Sequence, residues 1–247
     1  MAGSERSRSF GLAADVYETG RPEYPSAAIR WLLEPVSAPG QRPRVADVGA
    51  GTGKLTRGVA ATGCGVVAVD PDPAMLAKLR EAVPGVPTLV GTAEALPLPD
   101  AGLDAVVLGQ AWHWVEPVMG SREIGRVLRP GGVLGLIWNV REQSEPWLRR
   151  LTAIMPGGRS REMFTTGPPV AAPFGEPVER TWPWSRPVTR AVLADMIRSR
   201  SHFITAPPER RAEIDADLTA LFDELGLHGE ATTELPYVTH AYRAVRP

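Results

Sequence analysis

Val45-Ala-Asp-Val-Gly-Ala-Gly-Thr-Gly53 sets the architecture of this chain. A short β-rich run, Arg44–Val48, carries Asp47 and leads into three glycines at alternate positions: Gly49, Gly51 and Gly53. A helical pattern follows over 54–61, with Leu55 and Val59 on one face. Alternate glycines let the backbone turn tightly and let a ligand come close to the main chain. For the glycines alone, a plain turn is the competing reading.

Outward from this loop, strand-like and helix-like segments alternate. Gly65–Asp70 (GVVAVD), Val86–Val90, Leu103–Gly109 and Val133–Trp138 read as strands. Pro73–Val83 and Pro117–Leu128 read as helices, the second closed by Pro130-Gly131-Gly132. Strands apolar on both faces belong in a parallel sheet covered by helices on both sides. The expected fold is therefore a doubly wound, Rossmann-like α/β sheet, mostly parallel, with right-handed crossovers.

Beyond about residue 155 the pattern changes. Residues 156–187 are rich in Gly, Pro and Trp and weakly periodic. Thr189–Ser199 predicts a helix that Thr189 caps. Glu209–Leu225 predicts a second, with Ile214, Leu218, Leu221, Phe222 and Leu225 on one stripe and Gly226 as its stop. Tyr237–Val245 predicts a last, antiparallel strand. Together these predict a small C-terminal helical cap at about 156–230, within one domain spanning 1–247.

Composition narrows the function. The 247 residues carry 27 Lys and Arg against 28 Asp and Glu, a net charge of −1. Counterion release onto nucleic acid calls for a basic excess, so nucleic acid is not an expected partner. One cysteine, Cys64, and four scattered histidines offer no disulfide framework and no expected metal site. The first ten residues lack an apolar signal-peptide core, and no apolar run is long enough for a membrane span. A cytoplasmic protein acting on a small molecule is expected; the oligomeric state is left open.

Three readings of the glycine loop compete. A phosphate loop needs GxxxxGK[ST], but Val48 and Leu55 stand at its first and last positions. A dinucleotide loop needs GxGxxG, but Lys54 stands at the third glycine. The third reading is a loop for S-adenosylmethionine, which has no phosphates. Asp70 ends the next strand, and an ionised carboxylate there can accept both hydroxyls of a ribose.

The loop, Asp47 and Asp70 resemble the class I methyltransferases. Further stretches extend the likeness to type 11-like small-molecule enzymes over about residues 10–140: Gly91-Thr-Ala-Glu-Ala-Leu-Pro97, Leu103 through Trp114, and Glu123 through Gly132. The closer resemblance is to the trans-aconitate methyltransferase-like branch. It rests on Tyr17-x-x-x-Arg21-Pro-x-Tyr24-Pro25, on Gln110-Ala-Trp-His-Trp114 and on Trp138-Asn139. The resemblance implies a cofactor site of Tyr17, Arg21, Asp47, Gly49, Ala50, Gly51, Thr52, Gly53, Asp70, Pro71, Met75, Thr92, Ala93, Glu94, Gln110, Ala111 and Trp112. Tyr17 and Arg21 would lie near the methionine part of S-adenosylmethionine. Thr92 stands where the family often has Asp, and Glu94 is the alternative partner for the adenine amine.

For the acceptor site, the resemblance and the strand ends point to Tyr24, Trp114, Trp138 and Asn139, and a basic cluster following the cap helix adds Arg200 and His202. The tryptophans read either as pocket walls or as core. Arg198, Arg200 and His202 read either as an anion-selecting cluster or as a solvated helix end. Trp182-Pro-Trp184 reads as a strand edge or a lid. His113, at the carboxyl end of a strand, is the candidate base for a hydroxyl acceptor, with a packing role as the alternative; a carboxylate acceptor needs no base. The expected reaction is methyl transfer to an oxygen, giving S-adenosylhomocysteine. The rivals are a nicotinamide (NAD(P))-dependent oxidoreductase and a non-catalytic cofactor-binding protein.

Overall fold

The apolar segments around the glycine loop pack side by side as one sheet. In the computed structural model, which describes residues 22–154, 166–198 and 201–247, the elements run as follows. Helix α1 (Ser26–Leu33) leads into β1 (Arg44–Val48), α2 (Lys54–Ala60), β2 (Gly65–Asp70), α3 (Pro73–Ala82) and β3 (Thr88–Val90). Then come β4 (Leu103–Gly109), α4 (Pro117–Val127), β5 (Leu128–Arg141) and α5 (Pro146–Ile154). The chain continues through β6 (Val178–Thr189), α6 (Arg190–Arg198), α7 (Ser201–Ile204), α8 (Pro208–Glu224) and β7 (Thr232–Val245).

The sheet has seven strands in the order β3-β2-β1-β4-β5-β7-β6. β1 to β5 are parallel to one another, and β7 runs antiparallel to both β5 and β6. This is the expected doubly wound sheet with its antiparallel last strand. The order reverses between β1 and β4, the kind of switch point outside which open α/β sheets bind ligands.

Each face has its own core. On one, Leu134, Leu136 and Trp138 of β5 pack with Ile124 and Val127 of α4. On the other, Val133 and Ile137 pack with Ala28, Ile29, Leu32 and Leu33 of α1 and Leu55 and Val59 of α2. Truncating one such fully buried leucine to alanine costs roughly 2–5 kcal/mol. The helices between are held at their starts by local chemistry. Asp72 caps α3 by accepting from Ala74 N at 2.8 Å, and Pro73 follows at the first helical position. Glu116 caps α4 through Val118 N and Met119 N.

The cap forms a third apolar cluster. Leu148 and Leu151 of α5, Leu193 and Ile197 of α6, and Ile214, Leu218, Leu221 and Phe222 of α8 close over Leu235 and Tyr237 of β7. The stripe read from the sequence of α8 is thus its buried face; Leu225 packs at its margin.

Several elements depart from the sequence reading. α1 and α5 form where no helix is expected. β6 occupies the end of the segment that reads as aperiodic, and Trp182 and Trp184 lie within it. β6 is an edge strand, mostly exposed, and so tolerates Pro183 and Pro187. β5 runs from Leu128 to Arg141, beyond both limits of Val133–Trp138: at its start Leu128 pairs with Leu103 of β4, and at its end β7 pairs with it through Arg141. No helix among the described residues is long and apolar enough to cross a membrane.

Candidate active site

The carboxyl ends of β1, β2, β4 and β5 gather the residues singled out by sequence. Gly49, Gly51 and Gly53 all take left-handed backbone, with φ of 70°, 55° and 94°. The loop is pinned to β2, since Gly49 N and Ala50 N both donate to Val69 O, at 2.8 and 3.1 Å. A Cβ on Gly49 would stand 2.7 Å from the Ala111 Cβ, and one on Gly53 2.8 Å from Leu79 Cγ. One on Gly51 would meet nothing within 4 Å among the described residues. Gly49 and Gly53 therefore serve packing, while Gly51 borders open space.

Two carboxylates flank this loop. Asp47 is fully buried. Its Oδ2 accepts from Thr56 Oγ1 at 2.6 Å, and its Oδ1 has no hydrogen-bond partner among the described residues. Burial, with Asp70 adding repulsion, pushes its pKa up to about 7, against the lowering effect of the Thr56 bond. Asp70 is also buried, and burial raises its pKa too. Its Oδ2 accepts from Gly51 N at 2.8 Å and its Oδ1 from Asp72 N at 2.9 Å. One lone pair on each oxygen remains for a further donor. Thr52 and Met75 are buried beside the loop, and Pro71 is half-buried.

After β3, Thr92 and Ala95 exchange backbone hydrogen bonds in a tight turn, with Ala93 buried inside it. The Glu94 carboxylate accepts from Glu116 N at 3.0 Å, so it braces the start of α4. Sequence reading missed what holds this turn, which is Arg126. Its guanidinium donates to Leu96 O, Leu98 O, Glu123 and Asp100, and the two carboxylates raise its pKa. Its position in the last turn of α4, below an acidic loop, was the available signal.

At the end of β4, Gln110 has left-handed backbone, φ 56°, and donates from Nε2 to Asn139 O at 3.0 Å. Backbone of this kind is uncommon in a non-glycine residue and clusters at functional sites, although Ala101, in a turn away from the loop, shares it. Ala111 packs against Gly49. Trp112, His113 and Trp114 form a single 3₁₀ turn. Trp112 is fully buried and donates from Nε1 to Pro169 O at 3.0 Å. His113 is half-buried with its ring 4.9 Å from that of Trp114, which is 44% exposed. Tyr24 lies over the end of β4, where a Cβ on Gly109 would stand 2.7 Å from its hydroxyl.

Two residues expected at the acceptor site are engaged elsewhere. Trp138 takes the core reading: fully buried, it meets Tyr242 edge to face at 5.9 Å, because its place in the β5 alternation turns it under α4. Asn139 accepts from Thr239 Oγ1 at 2.7 Å and donates to Glu23 O at 3.1 Å, so its amide ties the segment before α1 to the sheet. That segment is held a second time. The Glu23 carboxylate pairs with Arg57 at 2.6 Å and Lys54 at 3.8 Å, so Lys54 is not the solvated residue its sequence position suggests. Tyr17, Arg21 and Arg200 lie outside the described residues, as does the side chain of His202. Arg198 is paired with Asp215.

Arg141, the final residue of β5, went unnoticed in the sequence. It shares its face with Asn139 by the two-residue alternation of a strand. Its Nη1 is buried and has no hydrogen-bond partner among the described residues.

Known proteins agree with this layout. A profile described as a methyltransferase domain matches residues 46–136. An uncharacterized methyltransferase of Mycobacterium tuberculosis is 43% identical over 241 residues, covering 97% of this chain and 96% of its own. An uncharacterized methyltransferase-like protein of Schizosaccharomyces pombe is 33% identical over 224 residues, covering 85% and 84%. Among solved structures, a protein assigned as a Type II methyltransferase from Anaeromyxobacter dehalogenans superposes with a TM-score of 0.62 at 26% identity, over 92% of this chain and 97% of that one. With the glycine loop, its acidic flanks and the strand order all inside the shared region, the chain belongs to the class I S-adenosylmethionine-dependent methyltransferases.

Proposed function

We propose that the protein methylates an oxygen, of a carboxylate or a hydroxyl, on a small-molecule acceptor, and that it stands in the trans-aconitate methyltransferase-like branch. The observation that carries the cofactor assignment is the pair Asp47 and Asp70. Two buried carboxylates border an open-sided glycine loop, and among the described residues one oxygen of Asp47 lacks a partner and neither acid is paired with a cation. Such a cradle suits a ligand rich in donors and positive charge, and repels a pyrophosphate.

The residues fit S-adenosylmethionine. Asp70 would take the ribose hydroxyls on its remaining lone pairs, and Gly49 to Gly53 would pass beneath the amino-acid part. Thr92 and Ala93, in the turn braced through Glu94 and Arg126, would border the adenine, and Gln110 to Trp112 would close the far side. When bound, the cofactor supplies a methyl group on a sulfonium, whose leaving group is a neutral thioether.

The chain's own part is positioning. Holding the acceptor oxygen in line supplies much of the rate, and Tyr24 and Trp114 would border it. In the transfer the carbon–sulfur bond breaks as the carbon–oxygen bond forms, and sulfur keeps the bonding pair. A hydroxyl acceptor must also lose its proton, which His113 would take. A carboxylate acceptor has none to lose.

The near-balanced charge of the chain supports a small molecule over a nucleic acid. Calorimetric titration with S-adenosylhomocysteine, followed by a turnover assay over carboxylic acids and alcohols, tests this reading. Tight binding and methylation of an oxygen are expected. No binding would remove the cofactor assignment, and transfer only to nitrogen or carbon would remove the acceptor assignment.

A further inference from the structure

The guanidinium of Arg141 is short of partners in a place where that is costly. Arg126, Arg129 and Arg243 each meet a carboxylate. Among the described residues no carboxylate or carbonyl accepts from Arg141, and its Nη1 is sealed from water. Burial works against its charge, and the one nearby group that favours it, Tyr237, is its register partner on β7. Tyr237 is itself occupied, with its hydroxyl 3.5 Å from Met196 Sδ and its ring stacked 4.8 Å from that of Trp184. Arg141 as a whole is half-buried, so the cost falls on the sealed Nη1: a buried polar group without a partner is destabilising and calls for an explanation, and a bound ligand is one that fits a strand end.

Position says what binds. Arg141 ends β5, and ligands of open α/β sheets sit outside the carboxyl ends of strands. The cofactor cradle lies at the ends of β1 and β2, whereas β5 is two strands beyond β1, about 10 Å across the sheet. Between the two stand Gln110, His113 and Trp114 at the end of β4.

We propose that Arg141 is the anchor of the acceptor site and holds a carboxylate of the substrate through paired hydrogen bonds from its guanidinium. This rests on the methyl-transfer reading above. A consequence follows for the acceptor. Oxygens locked in such a pair have their lone pairs and charge turned to the guanidinium. They are poor nucleophiles, so the methylated oxygen is a different one. The acceptor therefore carries at least two oxygen functions, one anchored and one reacting.

The test uses the full chain and three arms. First, S-adenosylhomocysteine affinity is measured for wild type and Arg141→Gln, and should agree within twofold; a tenfold loss would place the cofactor's own carboxylate on Arg141 and overturn the proposal. Second, the protein saturated with S-adenosylhomocysteine is titrated with succinate, citrate and benzoate, and with succinamide and benzamide as neutral controls. At least one acid should bind better than the amides, and Arg141→Gln should weaken it tenfold or more. Acids no better than amides, or an unchanged affinity in the variant, would overturn it. Third, Arg141→Met should leave the Tm of the ligand-free protein equal or higher; a fall of several degrees would make Arg141 a structural residue instead. A wild type that fails to bind S-adenosylhomocysteine tells against the methyl-transfer reading, while the third arm still reads the anchor by itself.

Discussion

Asp47 and Thr56 share a 2.6 Å hydrogen bond beneath the glycine loop, joining the end of β1 to α2 inside the protein. The bond favours the charged carboxylate, but burial outweighs it and holds the pKa near 7. The folded state thus binds a proton that the unfolded chain, at 3.8, has released. Stability from this group is full below about pH 4 and is lost as pH rises towards 7.

Asp47→Asn removes this titration while keeping an oxygen for Thr56. The Tm of the variant relative to wild type should climb between pH 5 and pH 8 and level off above. Scanning calorimetry at three pH values reads it. A constant difference would mean that Asp47 stays ionised across the range.

Asp70→Ala should weaken S-adenosylhomocysteine binding by roughly 1.5–3 kcal/mol, the worth of hydrogen bonds to a charged acceptor. It should also lower the Tm, because Gly51 N and Asp72 N lose their acceptor. Calorimetric titration separates the two effects. An unchanged affinity with a lowered Tm would confine Asp70 to shaping the loop.

Gly51→Ala and Gly49→Ala make a contrasting pair. Each bears the backbone cost of a side chain at positive φ, about 1–2 kcal/mol. At Gly49 the methyl also strikes Ala111, whereas at Gly51 it enters open space. Gly49→Ala should therefore melt lower. Gly51→Ala should fold almost normally yet lose most of its affinity for S-adenosylhomocysteine. Normal affinity in Gly51→Ala would place the cofactor away from this turn.

His113→Ala sorts the two acceptor chemistries. With a saturating hydroxyl acceptor, kcat should drop about a hundredfold or more. With a carboxylate acceptor the loss should stay within about threefold. A small loss on both would leave His113 with a packing role beside Trp114.

The parallel core was legible because β1, β2 and β4 are apolar runs bounded by Gly, Asp or Pro, a signature of strands covered on both faces. β6 was hidden by its position. An edge strand keeps its outer face in water, so neither apolar periodicity nor the absence of proline marks it. α1 starts after Pro25 with no capping side chain, which removed the usual signal. The most instructive miss is the limit of β5. Ending it at Trp138 made that tryptophan look like a wall of the site. The strand runs on to Arg141 because β7 pairs with it that far, and this pairing is set by residues about a hundred positions away. Local sequence could not report it. Trp138 accordingly moved into the core, and the charged residue at the true end was overlooked.

β7 lies between β5 and β6, and among the described residues β6 has no other strand beside it. The sheet therefore cannot be finished in the order in which it is synthesised. β6 must wait, its backbone amides and carbonyls bare, until residues 232–245 have left the ribosome and slid into the gap. A message truncated before Thr232 would leave β5 as a bare edge and β6 with no partner strand, a substrate for chaperones and proteases rather than a shortened enzyme.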